Sequence, residues 1–311
     1  MKIHFEKPVE IQDTEIYKKF EIEYSLNSQF LADFTNLRNF SGRIISFITD
    51  KKCLTFHAHL LENSVKTMQS IKLCCSIGSF ADANSLIRRL RDDLLLYVYL
   101  LSIINQREPF TKKSLENLKI DDAEKFAESF LSMEFNTVLS ADEQAVEAWL
   151  TSSVETLPPD VKKKLSFANY MQVLRKDEKI KKILNDYNLK DYWGILSARL
   201  NNYMHNNGIK YTLHNTVRGH DKDLEIYLQN INIRISYILS IFLVLISMID
   251  SALMCSGEIE DYMDMGLEPH ENCQYEIAPF IQNYIDEKVA KLHPELKQYL
   301  KDNNNYGMII D

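Results

Sequence analysis

From Ile235 to Ile249 the chain carries fifteen consecutive residues without a charge. Such a run has two stable fates, the middle of a packed core or a membrane. A bilayer span needs roughly 18–20 apolar residues, and extending this run to Met254 brings in Asp250. Ser236, Ser240 and Ser247, spaced along it, suit tight helix contacts. The run therefore predicts a central buried helix in preference to a membrane span. That helix opens at Asp221 or Asp223 and is broken by Gly257. A helix that is apolar all round must be covered on every side, so the rest of the chain has to supply covering helices.

The composition agrees with that demand. Only 8 Gly and 7 Pro occur in 311 residues, whereas sheets with many tight turns consume both. The expected fold is all-α, a multi-helix bundle. Residues 1–50 read as an N-terminal arm and a short helix, because Phe20-Glu21-Ile22-Glu23-Tyr24 alternates as an edge strand does. Residues 51–311 read as the bundle. Leu60, Leu61, Val65, Met68 and Ile71 give one amphipathic stripe. Gly78-Ser79 breaks it, with Ser79 and Asp82 placed as a capping pair for a helix to about Asn105. Residues 106–188 read as a helical insertion, with helices near 121–138 and 142–156; Ser140 and Glu143 are spaced as a capping box for the second. A helix from Leu189 to Met204 and a final one over 276–301, interrupted by Pro294, complete the pattern. The tail from Asp302 to Tyr306 is expected to fray.

Charge and motifs exclude several functions. The net charge of −8 lacks the global basic footprint of a nucleic-acid binder. One basic stretch, Lys162 to Lys182, offers either a solubilising surface or a landing strip for an anionic partner. Five cysteines, two of them adjacent and none in CxxC, argue against disulfides and a zinc site, and suit a reducing cytoplasm. The N-terminus lacks the apolar region of a secretory signal. No phosphate-cradling glycine loop, HExxH or GxSxG is present. His57 and His59 are two apart, on different helical faces, and read as surface or packing residues; the acids of 256–275 read as solvated. No cofactor and no metal are expected.

Polar chemistry gathers at one helix end. Arg199, Asn201, Asn202 and His205 precede Asn206-Asn207-Gly208, which stops the helix, with Gly208 expected in the left-handed conformation. Six residues turn a regular helix through 600°, so Arg199 and His205 differ by about 120°. A long arginine and a histidine at a loosening end can still meet on one ligand. Arginine gives a fixed charge for phosphate, and histidine exchanges protons near neutrality. The plainer alternative is Arg199 in a salt bridge and His205 opposing the negative end of the helix dipole.

Arg-x5-His at a helix end, followed by a loop and a long apolar helix, resembles the R-x(4–6)-H motif of the HEPN superfamily. The stretch Phe80 to Leu90 is similar to the arginine-bearing second helix of those bundles. The resemblance covers 55–105 and 189–254. It implies an all-α, often dimeric protein acting as a metal-independent endoribonuclease, possible in toxin or phage-defence systems. Arg199 would bind phosphate, His205 act as acid or base, and Asn201 or Asn202 orient. Arg88 and Arg91 stand either in i,i+4 pairs of the type Arg88–Asp92 and Arg89–Asp93 or as a phosphate-facing patch. The implied partners are RNA and a second copy of the chain. The competing reading is a non-catalytic helical module that binds a protein partner. Leu200, where the family often has a polar residue, and the acidic balance favour that second reading.

Overall fold

The first long element is a helix where alternation predicts a strand. In a computed structural model, which describes residues 10–118, 122–187 and 189–311, helix α1 covers Glu15–Phe40. Tyr17, Phe20, Tyr24, Asn27, Phe30, Leu31 and Phe34 are buried along it at three- and four-residue spacing. Phe20 and Tyr24 thus share one face, and Ile22 between them is 71% exposed. A pattern of five residues satisfied both periods, and the next ten decide for the helix. The extended arm is corrected from residue 10 onward; residues 1–9 lie outside the described residues. Strands β1 (Ser46–Ile48) and β2 (Cys53–Thr55) follow as an antiparallel hairpin with Phe47 opposite Leu54.

Helices α2 (His59–Ser76) and α3 (Phe80–Gln106) meet at Gly78, which holds φ +78°. A Cβ at Gly78 would lie 2.0 Å from the Val217 carbonyl oxygen, so no side chain fits. Ser79 does not cap the backbone of α3. Its hydroxyl donates to Asp82 (2.6 Å), and the Asn215 side-chain oxygen accepts instead from the amides of Ala81 (2.8 Å) and Asp82 (3.1 Å).

After α3 come α4 (Lys112–Glu116), α5 (Ala123–Leu131), α6 (Ala141–Leu150), α7 (Pro159–Lys162), α8 (Phe167–Leu174) and α9 (Glu178–Asp186). The Ser140–Glu143 capping box is formed. Val146, Tyr170, Met171, Leu174 and Ile180 join the same core as α1 and α3. Helix α10 covers Leu189–Met204, and α11 covers Ile209–Leu213.

Helix α12 (Leu224–Ile249) contains the uncharged run. By length and composition it could cross a membrane, yet 89% of its apolar window is buried inside the protein. It is the central buried helix. It packs against α3 and α1, while α2, α8 and α10 pack on α3. The chain ends with α13 (Glu258–Asp264), α14 (Pro279–Tyr284), a π-helical turn over Ile285–Val289, α15 (Ala290–Leu292) and α16 (Leu296–Asn303). The C-terminal tail is tied down rather than frayed. Asn305 accepts from the Ser251 amide (2.7 Å) and donates to the Ile249 carbonyl (2.7 Å), and Met308 and Ile310 are buried. Its asparagines find the unfilled carbonyls and amides at the end of α12, which offsets the entropy of ordering the tail. The fold is an all-α bundle whose one sheet, among the described residues, is the small hairpin.

Candidate active site

Helix α10 buries Leu189, Trp193, Leu196, Leu200 and Tyr203, a four–three–four–three spacing that holds it against α3. Arg199 falls off this stripe and is exposed; His205, just past the last turn, is exposed too. Among the described residues neither one forms a side-chain hydrogen bond or ion pair, so there Arg199 has no salt bridge of the kind the plainer alternative requires.

The helix end closes differently from the expectation for Gly208. Asn206 takes the left-handed conformation, with φ 47°. The Asn206 amide donates to Tyr203 O (3.3 Å) and the Asn207 amide to Asn202 O (3.0 Å), the paired bonds of a Schellman end. Asparagine serves because its short polar side chain tolerates that conformation. Gly208 instead holds φ 121° and ψ 151°, a region open to glycine alone. The Asn202 side chain belongs to this closure, accepting from Asn207 Nδ2 at 3.0 Å. Asn201 is exposed.

The second-helix arginines divide. Arg88 and Arg89 lie 3.8 and 3.7 Å from Asp92 and Asp93, as i,i+4 spacing predicts. Arg91 turns inward. Its guanidinium lies 4.0 Å from the Phe167 ring centre, donates to Ser197 Oγ (2.9 Å), and donates twice to Asp92 (2.9 and 2.6 Å). With its side chain 2% exposed, Arg91 cannot present a charge to phosphate; it ties α3 to α8 and α10. Arg91→Ala is expected to lower stability by about 2–3 kcal/mol, since charge-assisted hydrogen bonds and a desolvated cation–π contact are both lost. Arg88→Ala should change it by less than about 0.5 kcal/mol. Urea denaturation compares the two, and equal effects would remove the structural role assigned to Arg91.

A second polar group sits beside the motif and has no clear sequence signal. Arg234 of α12 is buried, donates to Asn84 of α3, and stands 5.7 Å from the Tyr203 ring centre. Tyr203 OH lies 3.1 Å from His214 Nδ1, and the His214 ring packs on Tyr227 at 4.8 Å. Burial, then the Arg234 and Lys210 charges, push the His214 imidazole below its ordinary value of 6.5. Between the lowered value and 6.5 the unfolded chain holds the extra proton, so His214 withdraws stability as pH falls through that window. An NMR titration of the imidazole resonances is expected to give His214 a midpoint below 6.5. A midpoint at or above it would mean that the ring is solvated.

The chain matches no family model, no curated protein and no solved structure.

Two sizeable cavities are lined by residues away from the motif. One, of about 730 Å³, is lined by Ser102, Asp142, Asp177, Met248 and Tyr306, and the other, of about 540 Å³, by Tyr187, Tyr192, Ile233, Tyr237 and Lys288. The end of α10 carries an exposed arginine and an exposed imidazole. Around it stand exposed apolar side chains on the same segment, Met204 (44%), Ile209 (78%) and Leu213 (56%). The exposed bases Lys210, Arg218 and Lys222 follow in the loop to α12. The lysine stretch is partly tied down: Lys164 pairs with Asp142 (3.2 Å), Lys179 donates to Asn303 O (2.7 Å), and Lys181 pairs with Glu178 (3.1 Å).

Proposed function

We propose that the end of α10 is the cleavage site of a metal-independent endoribonuclease, as the HEPN resemblance implies, and that a second copy of the chain completes it. The observation that supports this reading is the exposure of Arg199 and His205 without side-chain partners, in a fold where Arg38, Arg91, Arg107 and Arg234 are all pinned. An unpaired arginine and an imidazole at one helix end are suited to an incoming phosphodiester. The ribose 2′-oxygen attacks phosphorus and loses its proton, the 5′-oxygen leaves and gains one, and a 2′,3′-cyclic phosphate and a 5′-hydroxyl result. Arg199 offsets the charge that builds on the phosphoryl oxygens. His205 handles one of the two protons. A single histidine cannot be base and acid in the same step. A pair of motifs across a twofold axis supplies both, and Met204, Ile209 and Leu213 are the apolar surface that such a contact would bury. Five free thiols are compatible with a cytoplasmic setting.

The test is cleavage of several labelled RNAs in EDTA by the wild type, His205→Ala and Arg199→Ala, with light scattering to give the oligomeric state. Cleavage by a dimeric wild type, lost in both folded variants, supports the proposal. A second reading, the non-catalytic interaction module, is favoured by the exposed apolar residues alone. It gains if the wild type self-associates or captures a protein partner and no RNA is cut.

A further inference from the structure

Residues 256–276 form a loop closed at its base by backbone pairing: the Ser256 amide donates to Glu276 O (2.9 Å) and the Ala278 amide to Met254 O (2.8 Å). Among the described side chains of this loop only Cys273 is buried. Burial of apolar surface therefore contributes little toward ordering some twenty residues, at roughly 1–2 kcal/mol of backbone entropy each. Inside the loop, Glu258, His270 and Cys273 bring a carboxylate oxygen, a ring nitrogen and a thiol sulfur within 4.8 Å of one another.

The His270 ring shows which atom is offered. Its Nδ1 lies 3.2 Å from the Glu271 carbonyl oxygen. A carbonyl only accepts, so Nδ1 carries the hydrogen. The opposite nitrogen, Nε2, is then directed at two carboxylates, 3.9 Å from Glu258 and 3.7 Å from Glu276. Both distances are too long for a hydrogen bond. Two carboxylates facing one ring nitrogen call for positive charge at that point, either a proton on the ring or a metal ion among the three groups. A histidine oriented by a backbone carbonyl on one nitrogen, with the other left open, is the usual arrangement of a metal-ligating imidazole.

We infer that Glu258, His270 and Cys273 form a binding site for a zinc-class divalent ion, with the Glu276 carboxylate standing beside it, 3.7 Å from His270 Nε2. The donor set decides the class. Thiolate and imidazole select zinc or a neighbouring transition ion, whereas calcium and magnesium take oxygen ligands only. Tetrahedral bonds of about 2.0–2.3 Å place ligand atoms roughly 3.3–3.8 Å apart, so the observed spread has to close by about an ångström. Rotation of the exposed His270 and Glu258 side chains supplies that. Binding expels the thiol proton of Cys273 to solvent and places three protein donors on the ion, with water or the neighbouring Glu276 carboxylate in the fourth position. The site is separate from Arg199 and His205, and the ribonuclease reading neither needs it nor depends on it.

The test is a Co²⁺ titration of the EDTA-stripped full-length protein, with zinc stoichiometry by elemental analysis. One equivalent of cobalt is expected to produce the near-ultraviolet thiolate-to-cobalt band with tetrahedral visible absorption. One equivalent of Zn²⁺ is expected to abolish both. Cys273→Ser is expected to lose the band, and His270→Ala to weaken binding by more than about 10-fold. Cys53→Ser, which removes the exposed hairpin thiol, should leave both unchanged. A wild type that gives no thiolate band overturns the inference whether or not the variants fold. A band that survives Cys273→Ser overturns it as well.

Discussion

His205→Ala is expected to reduce RNA cleavage by about 10²–10⁴-fold at neutral pH, the usual contribution of a positioned general acid or base. Arg199→Ala is expected to cost about 10²–10³-fold, as losing one group that stabilises developing charge does. The double variant should be little worse than the poorer single one, because groups acting in one step are not additive. The structure makes this a clean experiment. Both side chains are exposed and neither is engaged with another side chain, so each substitution should alter stability by less than about 0.5 kcal/mol. Initial rates on a labelled RNA in EDTA, beside a urea melt of each variant, separate chemistry from folding. His205→Ala cleaving within a few-fold of the wild type would sink the assignment.

Arg107→Ala is expected to lower stability by about 3–5 kcal/mol, the range for removing one partner of a buried charged pair. Arg107 follows the last residue of α3, and its side chain is 2% exposed. Nε donates to Ile48 O (2.6 Å), one terminal nitrogen to Glu143 (2.7 Å) and the other to Asn136 O (3.0 Å), with the Phe47 ring centre 5.1 Å away. One planar fork thus joins the hairpin, the end of α3, the stretch before α6 and the α6 cap. Lysine has no such fork and could not replace it. The loss should fall toward the lower end, because Glu143 keeps its bond from the Ser140 amide (2.7 Å). Burial opposes the charge on Glu143, but the Ser140 and Arg107 bonds outweigh it and hold the carboxyl below its usual 4.5. That stabilisation is fully present above pH 4.5 and is lost as pH falls through the lowered value. Urea denaturation at neutral pH and at pH 4 measures both effects. A loss under about 1 kcal/mol at neutral pH would reduce Arg107 to a surface residue.

The long elements were legible because their signals are local and redundant. The stripe Leu189–Trp193–Leu196–Leu200–Tyr203 and the charge-free run of α12 repeat one message over many residues. The Ser140–Glu143 cap was legible because both partners lie within one turn. Phe20 to Tyr24 misled because five residues satisfy two periods at once. The three structural arginines were hidden for a different reason. Arg91 finds Phe167 and Ser197, Arg107 finds Ile48, and Arg234 finds Asn84, all partners that only the folded chain brings near. An arginine among aspartates looks solvated until a ring closes over it. At the candidate site, the exposure of Arg199 and His205 follows from the α10 stripe, but the Schellman end at Asn206 and the neighbouring His214 do not. In the Glu258–His270–Cys273 group only His270 and Cys273 are close in sequence, as H-x2-C, and Glu258 stands twelve residues before them, so that single pair is all the order of residues shows.

The capping of α3 by Asn215 carries a consequence for how the chain is made. Two of the first amides of this central helix are satisfied only by a side chain more than 130 positions downstream, and the Phe80 amide by His214 O at 2.8 Å. While the ribosome is still delivering the intervening segment, α3 exists with an open N-terminus and an uncovered apolar flank. The first turn of α3 is therefore completed late, when residues 214–217 arrive against Gly78. Contacts this distant in sequence slow folding, and a nascent chain stalled before residue 214 would expose the surface on which partially made proteins aggregate.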